Sequence, residues 1–301
     1  MSQQSNTALG ITLNIIASIL FAVMFAYTTL LSALEGNEIY GWRILLTLPC
    51  LTLFIIAQGN WSQVRQIYKR LYKERFFIFT RLISSFLIGL QLWLFMWAPR
   101  NGYGLDVSLG YFMMPIIMVI LGRVAFKDKM SAWQKLSCIF AILGVIHMLV
   151  VSQTLTWPTL LICLGYPIYF WLRQRTNTNN IGGVWFDMIL SLPLSLLFIF
   201  KGGVFTGALG SPLDTFWLIL GLGLISALAL GFQSLSAPHL NLTLFGLLVY
   251  VEPVLLFIVS IILGETIKSA EWPTYIAIWM AVCTLILEGI MSLKKKSYAQ
   301  V

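Results

Sequence analysis

Glu252 stands in the stretch GLLVYVEP, Gly246 to Pro253, with Tyr250 two positions before it and apolar residues on both sides. A carboxyl in such a run can exchange a proton or hold an amine, or it can stay protonated and bond a neighbouring helix. A second stretch, SLGYFMMP from Ser108 to Pro115, carries Tyr111 and also ends on proline. Trp93 and Trp97 lie four apart and so share a helix face, as do Tyr111 and Pro115. Such rings can stack on a flat ligand or attract a cationic one, although Trp97 equally fits an interfacial anchor and Trp93 plain packing. Gln91 and Gln233 are uncharged donors and acceptors that can orient a polar solute or bond helix to helix. Arg43, with Glu38 five residues before it, can steer anions at a mouth or simply anchor its helix. Asp187 can pair with Arg173 or Arg175 and close a gate, whereas Arg81 is expected to snorkel out of the apolar layer. Glu288 reads as an interfacial charge near Lys294. His147 and His239 have no Cys, Asp or Glu at ligand spacing, so neither a metal nor another cofactor is expected.

These residues are carried by a chain that is 59% hydrophobic and only 10% charged, with a mean hydropathy of +0.87. That composition calls for the lipid bilayer as solvent, in which about 20 apolar residues make one helical crossing. Ten spans are predicted, at about 9–31, 41–57, 76–98, 105–124, 133–151, 155–172, 183–200, 214–235, 243–263 and 273–291, with Pro167 and Pro193 interrupting the sixth and seventh. The first apolar stretch is too long for a signal-peptide core and reads as a retained helix. Cys50, Cys138, Cys163 and Cys283 sit singly in apolar runs and read as small packing residues. Ser18, Ala22 and Ala26, four apart, suit close helix packing.

Charge sets the orientation. Arg65, Lys69, Arg70, Lys73, Arg75, Arg123, Lys127, Lys129, Lys135, Arg173, Arg175, Lys294, Lys295 and Lys296 fall on one side of these spans, against Arg43, Arg100, Lys201 and Lys268 on the other. Basic residues mark cytoplasmic loops, which places both termini in the cytoplasm. The net charge of +8 thus records topology and gives no reason to invoke nucleic acid.

Ten spans divide into two units of five, 1–151 and 152–301, and an odd number per unit turns the second upside down. Pro115 and Pro253 are 138 residues apart, each with a Tyr within four positions before it and a Trp, Trp133 or Trp272, following. Each proline is followed by an apolar run and a charged turn, FKDK at Phe126 to Lys129 and LGET at Leu263 to Thr266. The predicted fold is therefore an all-α membrane protein of ten helices in two inverted five-helix repeats. Matching interrupted helices in inverted repeats point to a solute site between them. Proline deprives the carbonyl four residues back of its partner, so Tyr111 and Val249 are expected to offer free carbonyls to a wet cavity, with the two prolines as hinges.

The block WLFMWAPRNGYGLDVSLGYFMMP, Trp93 to Pro115, together with Glu38 of NEIYGWR, Asp187 before Pro193, and Glu288, resembles the RarD-like branch of the EamA, drug/metabolite transporter superfamily, along the whole chain. The resemblance implies an inner-membrane carrier whose central cavity is lined by the third, fourth, eighth and ninth helices with the first and sixth. This chain departs from the family pattern at Phe21-Ala22, Thr29, Trp42-Arg43, His239 with Asn241, and Glu252, which implies a changed cavity and a changed solute.

A secondary transporter of a small organic metabolite or drug-like solute follows as the expectation, alternating its access and possessing in Glu252 a means of coupling to protons; an uncoupled facilitator or an amino-acid-type exporter fits the same fold. With no nucleotide-binding motif, no ATPase partner is evident. An intramembrane enzyme acting on lipid would need a His-Glu motif or a serine elbow, and the sequence has neither. A purely structural membrane subunit would have no need of paired kinks.

Overall fold

The computed structural model describes residues 2–31, 34–98, 101–152, 156–202, 212–262 and 269–298, and these are helical almost throughout. The LGET turn, Arg100 and Lys268 lie outside the described residues, as do the side chains of Lys294, Lys295 and Lys296. The helices are α1 (Ser2–Tyr27), α2 (Gly36–Ala57), α3 (Trp61–Lys73), α4 (Phe77–Trp97), α5 (Gly104–Phe126), α6 (Ala132–Ser152), α7 (Trp157–Arg175), α8 (Ile181–Lys201), α9 (Pro212–Ser236), α10 (Leu242–Leu248), α11 (Val251–Ile262) and α12 (Trp272–Tyr298).

Eight of the helices are long and apolar enough to cross a membrane. The expected sixth span is α7, whose polar end (Arg173 and Arg175) lowers its hydropathy, and the expected ninth is broken into α10 and α11. What reads as a basic loop after the second span folds as the amphipathic helix α3, which buries Val64 and Ile67 and leaves its basic residues outside.

Proline by itself does not break these helices. Pro49, Pro115, Pro167 and Pro193 all lie inside continuous helices, so the interruptions expected at Pro167, Pro193 and Pro115 do not occur. The break falls at Val249–Tyr250, which puts Pro253 in the first turn of α11, where its missing N–H is not needed. The Val249 carbonyl, expected to be free, accepts the Glu252 N–H at 3.1 Å in a tighter i to i+3 turn.

Local caps set the helix starts. Ser131 and Gln134 bond each other's backbone N–H at the head of α6, a reciprocal capping box. Asn180 accepts from Gly183 at the head of α8. The seven-residue α10 has two acceptors: Asn241 Oδ1 takes the Leu244 N–H at 2.7 Å, and Asp128 Oδ2, from the turn after α5, takes the Thr243 N–H at 3.0 Å.

Packing runs across the midpoint of the chain. α1 lies on α9, α2 on α8 and α9, α4 on α7 and α8, α5 on α7 and α10, and α6 on α12. The core separates into two apolar clusters. One draws on α5, α6, α10 and α12 through Phe112, Val119, Val145, Leu247 and Ile278; the other, larger one fills the space among α1, α2, α4, α7, α8 and α9 and also takes in the other faces of α5 and α10, through Met114 and Phe245. Small residues allow the closest crossings: a side chain at Gly122 would strike Thr243, one at Gly246 would strike Met118, and Gly144 lies against Ala277.

Two substitutions test this arrangement. Asn241→Ala removes a cap and is expected to lower stability by about 1 kcal/mol, whereas Gly122→Leu forces α5 off α10 and costs roughly 1 to 3 kcal/mol. Thermal unfolding of the detergent-solubilised protein reads both as falls in melting temperature, the second the larger.

Candidate functional site

A cavity lies within the larger cluster, beside the break between α10 and α11. Phe21 of α1, Arg43 of α2, Ile88, Leu92 and Phe95 of α4, Tyr111 and Met114 of α5, Tyr166 and Phe170 of α7, Leu230 and Gln233 of α9, Val249 at the break and Glu252 of α11 line it. Six of the contributing elements are the six that the resemblance implied; α2 is the addition. The space between these atoms is about 430 Å³, but the centre of a water-sized sphere can range over only about 20 Å³ of it. One water needs some ~10 to 15 Å³ by that measure, so in this conformation the cavity takes water or a small group and must widen for a larger solute.

Arg43, expected near a mouth, is instead 0% exposed. Its Nε donates to Ser226 Oγ at 3.0 Å and its guanidinium lies 5.8 Å from the centre of the Phe95 ring. Both Nη atoms are buried without a hydrogen-bond partner. Glu252 is 8% exposed, and among the described residues its carboxyl makes no hydrogen bond and no ion pair, the Arg43 guanidinium lying beyond ion-pair distance. Tyr111 and Tyr166 bring their hydroxyls within 3.5 Å of each other on the wall between these charges. The site thus holds one cation, one acid, two phenols and one amide within an otherwise apolar surface.

Gln233 shares the cavity wall, half-buried. Three other candidates spend their polar atoms elsewhere. Gln91 donates to the Leu161 carbonyl at 2.9 Å, fitted into the space that Gly165 leaves open, and so ties α4 to α7. Trp93 donates to Asn37 Oδ1 at 2.7 Å and stacks on Trp97, which in turn stacks on Tyr103. Tyr250 is fully buried in the smaller cluster and donates to the Phe112 carbonyl at 2.9 Å. None of the three lines the cavity. Pro115 and Pro253 are both buried.

Asp187 builds a second polar centre. It meets Arg81, not Arg173 or Arg175: Arg81 Nη1 is 3.4 Å from Asp187 Oδ1, and both side chains are fully buried. Arg81 therefore does not snorkel, because a buried acid neutralises it in place. Ser84 Oγ and Tyr169 Oη donate to Asp187 Oδ2 at 3.0 and 3.1 Å, while Arg173 reaches the acid only through Tyr169, at 2.9 Å. Ser85 and Ser191 close on the Asp187 carbonyl. This network fastens α4, α7 and α8 together.

His147 bonds Thr274, and no group of three or more His, Cys, Asp or Glu is placed to hold a metal among the described residues. All four cysteines are free, Cys163 buried and Cys283 exposed. Sequence reasoning missed Tyr166, Phe95 and Phe170 as lining residues and did not foresee that Arg43 is buried within the protein. Tyr166 carried a signal, since GYP at Gly165 to Pro167 repeats the pairing of tyrosine with proline seen at the other two kink motifs.

The model of the EamA-like transporter family matches residues 8–150. The chloramphenicol-sensitive protein RarD of Pseudomonas aeruginosa is 35% identical over 290 residues, covering 96% of this chain and 97% of its own. An uncharacterized transporter of Haemophilus influenzae is 35% identical over 281 residues, 93% of this chain and 94% of its own. The chain belongs to the EamA-like transporter family, with RarD-like relatives. Members are named as transporters, so this EamA protein is a multi-pass membrane protein of a transporter family and not an enzyme. A solved crystal structure matches with a TM-score of 0.63 over 95% of this chain and 98% of its own, at 14% identity, a likeness of fold alone.

The Asp187 centre gives a prediction on stability. Asp187→Asn leaves Arg81 without its counter-charge and is expected to cost about 3 to 5 kcal/mol. The double variant Arg81→Met with Asp187→Leu, apolar on both sides, should recover most of that in the same melting assay.

Proposed function

We propose that this protein is a secondary transporter that carries a small organic solute across the cell's inner membrane through the Arg43–Glu252 cavity, with Glu252 as its proton-exchanging group. The observation that carries the reading is the pair of buried, unpaired opposite charges facing one cavity beside a broken helix. Burying an unpartnered ionic group is costly and persists where a ligand or water completes it. Solute and water are the occupants available at that depth.

The two-repeat architecture is part of the proposal, with units 1–151 and 152–301 and both termini cytoplasmic. Its support is a contact between equivalent positions. Phe112 and Tyr250 each stand three residues before a hallmark proline, 138 apart, and the Tyr250 hydroxyl bonds the Phe112 carbonyl. A two-fold axis relating the repeats requires equivalents to meet where it passes. Along the same crossing Gly122 lies at Thr243 and Met118 at Gly246, so α5 and α10–α11 run antiparallel with Pro115 at the level of Val249 and Tyr111 at the level of Pro253.

Because packing crosses the midpoint, the bodies that move are not the sequence halves. The smaller cluster, carried by α6 and α12, and the larger one supply them, with α5 and α10 shared between the two as the seam and the cavity on the larger cluster's side of it. The Val249–Tyr250 break is the pivot on the second-repeat side, and the Arg81–Asp187 network holds one body rigid at the basic end of the chain's topology.

Access to the seam is testable without knowing the solute. With the four native cysteines replaced, Gln233→Cys is expected to react with a membrane-impermeant thiol reagent in both right-side-out and inverted vesicles; reaction from one side alone overturns alternating access. Expressed relative to a free thiol labelled at the same pH, since the thiolate is the reacting form, the rate should shift on acidification in that background and stay unmoved once Glu252→Gln is added. A rate equally pH-dependent in both removes the proton role and leaves a facilitator.

A further inference from the structure

We infer that the solute is a compact organic monocarboxylate, held by the two free Nη atoms of Arg43, and that each molecule enters the cavity together with one proton taken up by Glu252. The inference rests on the transport reading of the cavity and adds its substrate class and charge balance.

The Arg43 guanidinium is the strongest recognition element in the cavity. One of its nitrogens is committed to Ser226, and the two that remain are buried and unpartnered. That fork matches the two oxygens of a carboxylate, and the charge-assisted pair it makes is stronger than a bond to a neutral acceptor. The walls around it are rings and aliphatic chains, Phe21, Phe95, Phe170, Leu92 and Leu230 among them. They suit an apolar body behind the carboxylate and offer a sugar-like or highly hydroxylated one little to bond. The limited free volume keeps that body small.

Charge counting then assigns the proton. With Arg43 charged and Glu252 ionised, the empty cavity is neutral. A carboxylate that docks on Arg43 brings the enclosed charge to minus one, in surroundings where an uncompensated ion is costly. The titratable groups that face Glu252 are Arg43 from α2, Tyr111 from α5 and Tyr166 from α7; α1, α4 and α9 contribute Phe21, Phe95 and Gln233, which do not titrate, and no residue of α12 lines the space. Arginine stays protonated, and neither phenol can accept a proton to become a cation. Glu252, free of any hydrogen bond that would hold it ionised, is the group that restores neutrality by taking up a proton as the anion arrives. A zwitterion with its own ammonium would need no proton, and this distinguishes the two classes.

Calorimetric titration of the full-length protein in detergent, run at neutral pH in two buffers of different ionisation enthalpy, measures affinity and proton uptake together. Benzoate and pyruvate are expected to bind and benzyl alcohol not to, with about one proton taken up for each carboxylate bound. Arg43→Gln should abolish binding, and Arg43→Lys, which keeps the charge but loses the fork, should weaken it about tenfold or more. Glu252→Gln should still bind benzoate, with no proton uptake. The inference is overturned if neither carboxylate binds, if only a zwitterion such as phenylalanine binds and does so without proton uptake, or if Arg43→Gln or Arg43→Lys binds benzoate with parental affinity. Where Arg43→Gln melts below the parent, the Arg43→Lys titration decides. Thiol labelling of the Gln233→Cys variant from both sides of the membrane is unaffected by these outcomes, so the substrate class can fail while the transport path stands.

Discussion

Hydrocarbon offers no partner to a backbone N–H or C=O, so any departure from regular helix inside a membrane has to be closed by the protein itself. The gap between α10 and α11 is where this chain meets that constraint. A local turn closes it and a bond to the neighbouring helix braces it. The Val249 carbonyl turns inward to the Glu252 N–H, and the Tyr250 side chain crosses to the Phe112 carbonyl of α5. The second depends on α5 lying close alongside, which Gly122 and Gly246 allow by having no side chain at the crossing. The broken helix therefore cannot be understood apart from the unbroken one beside it. Its other flank, where Val249 and Glu252 face the cavity, is the flank left uncovered.

Two buried charged centres of similar composition behave in opposite ways because of how many partners surround each. Asp187 accepts from Arg81, Ser84 and Tyr169, and its own carbonyl accepts from Ser85 and Ser191. Such saturation rigidifies, and in a low dielectric it strengthens every bond in the chain of donors. Arg43 has a single hydroxyl and Glu252 none. The first centre ties helices together, and the second is the one to which we assign exchange. Residue type alone separates them poorly; both are an arginine and an acid on different helices.

That difference also marks what could be read in the sequence. Hydropathy revealed the apolar helices, because that signal is carried by single residues and short windows. Glu252, Tyr111 and Gln233 stood out as polar groups in apolar runs, and all three face the cavity. Depth and partner choice were not legible. Arg43 and Arg81 were each read by position along a span, yet each is held by a residue more than a hundred positions away, Ser226 in one case and Asp187 in the other. Gln91, Trp93 and Tyr250 likewise donate to partners on other helices, α7, α2 and α5. Where proline would break a helix was not legible either, since four prolines are tolerated inside continuous helices and the break comes one turn before a fifth.

Asp128 caps a helix that begins more than a hundred residues after it. Seven residues are too few for a helix to hold itself, so α10 depends on an acceptor outside its own stretch of chain. Synthesis runs from the N-terminus, so the turn bearing Asp128 is made before Leu242. The earlier half of the polypeptide thus serves as a template on which the later half completes its most irregular piece, and maturation of the fold has a built-in order in time.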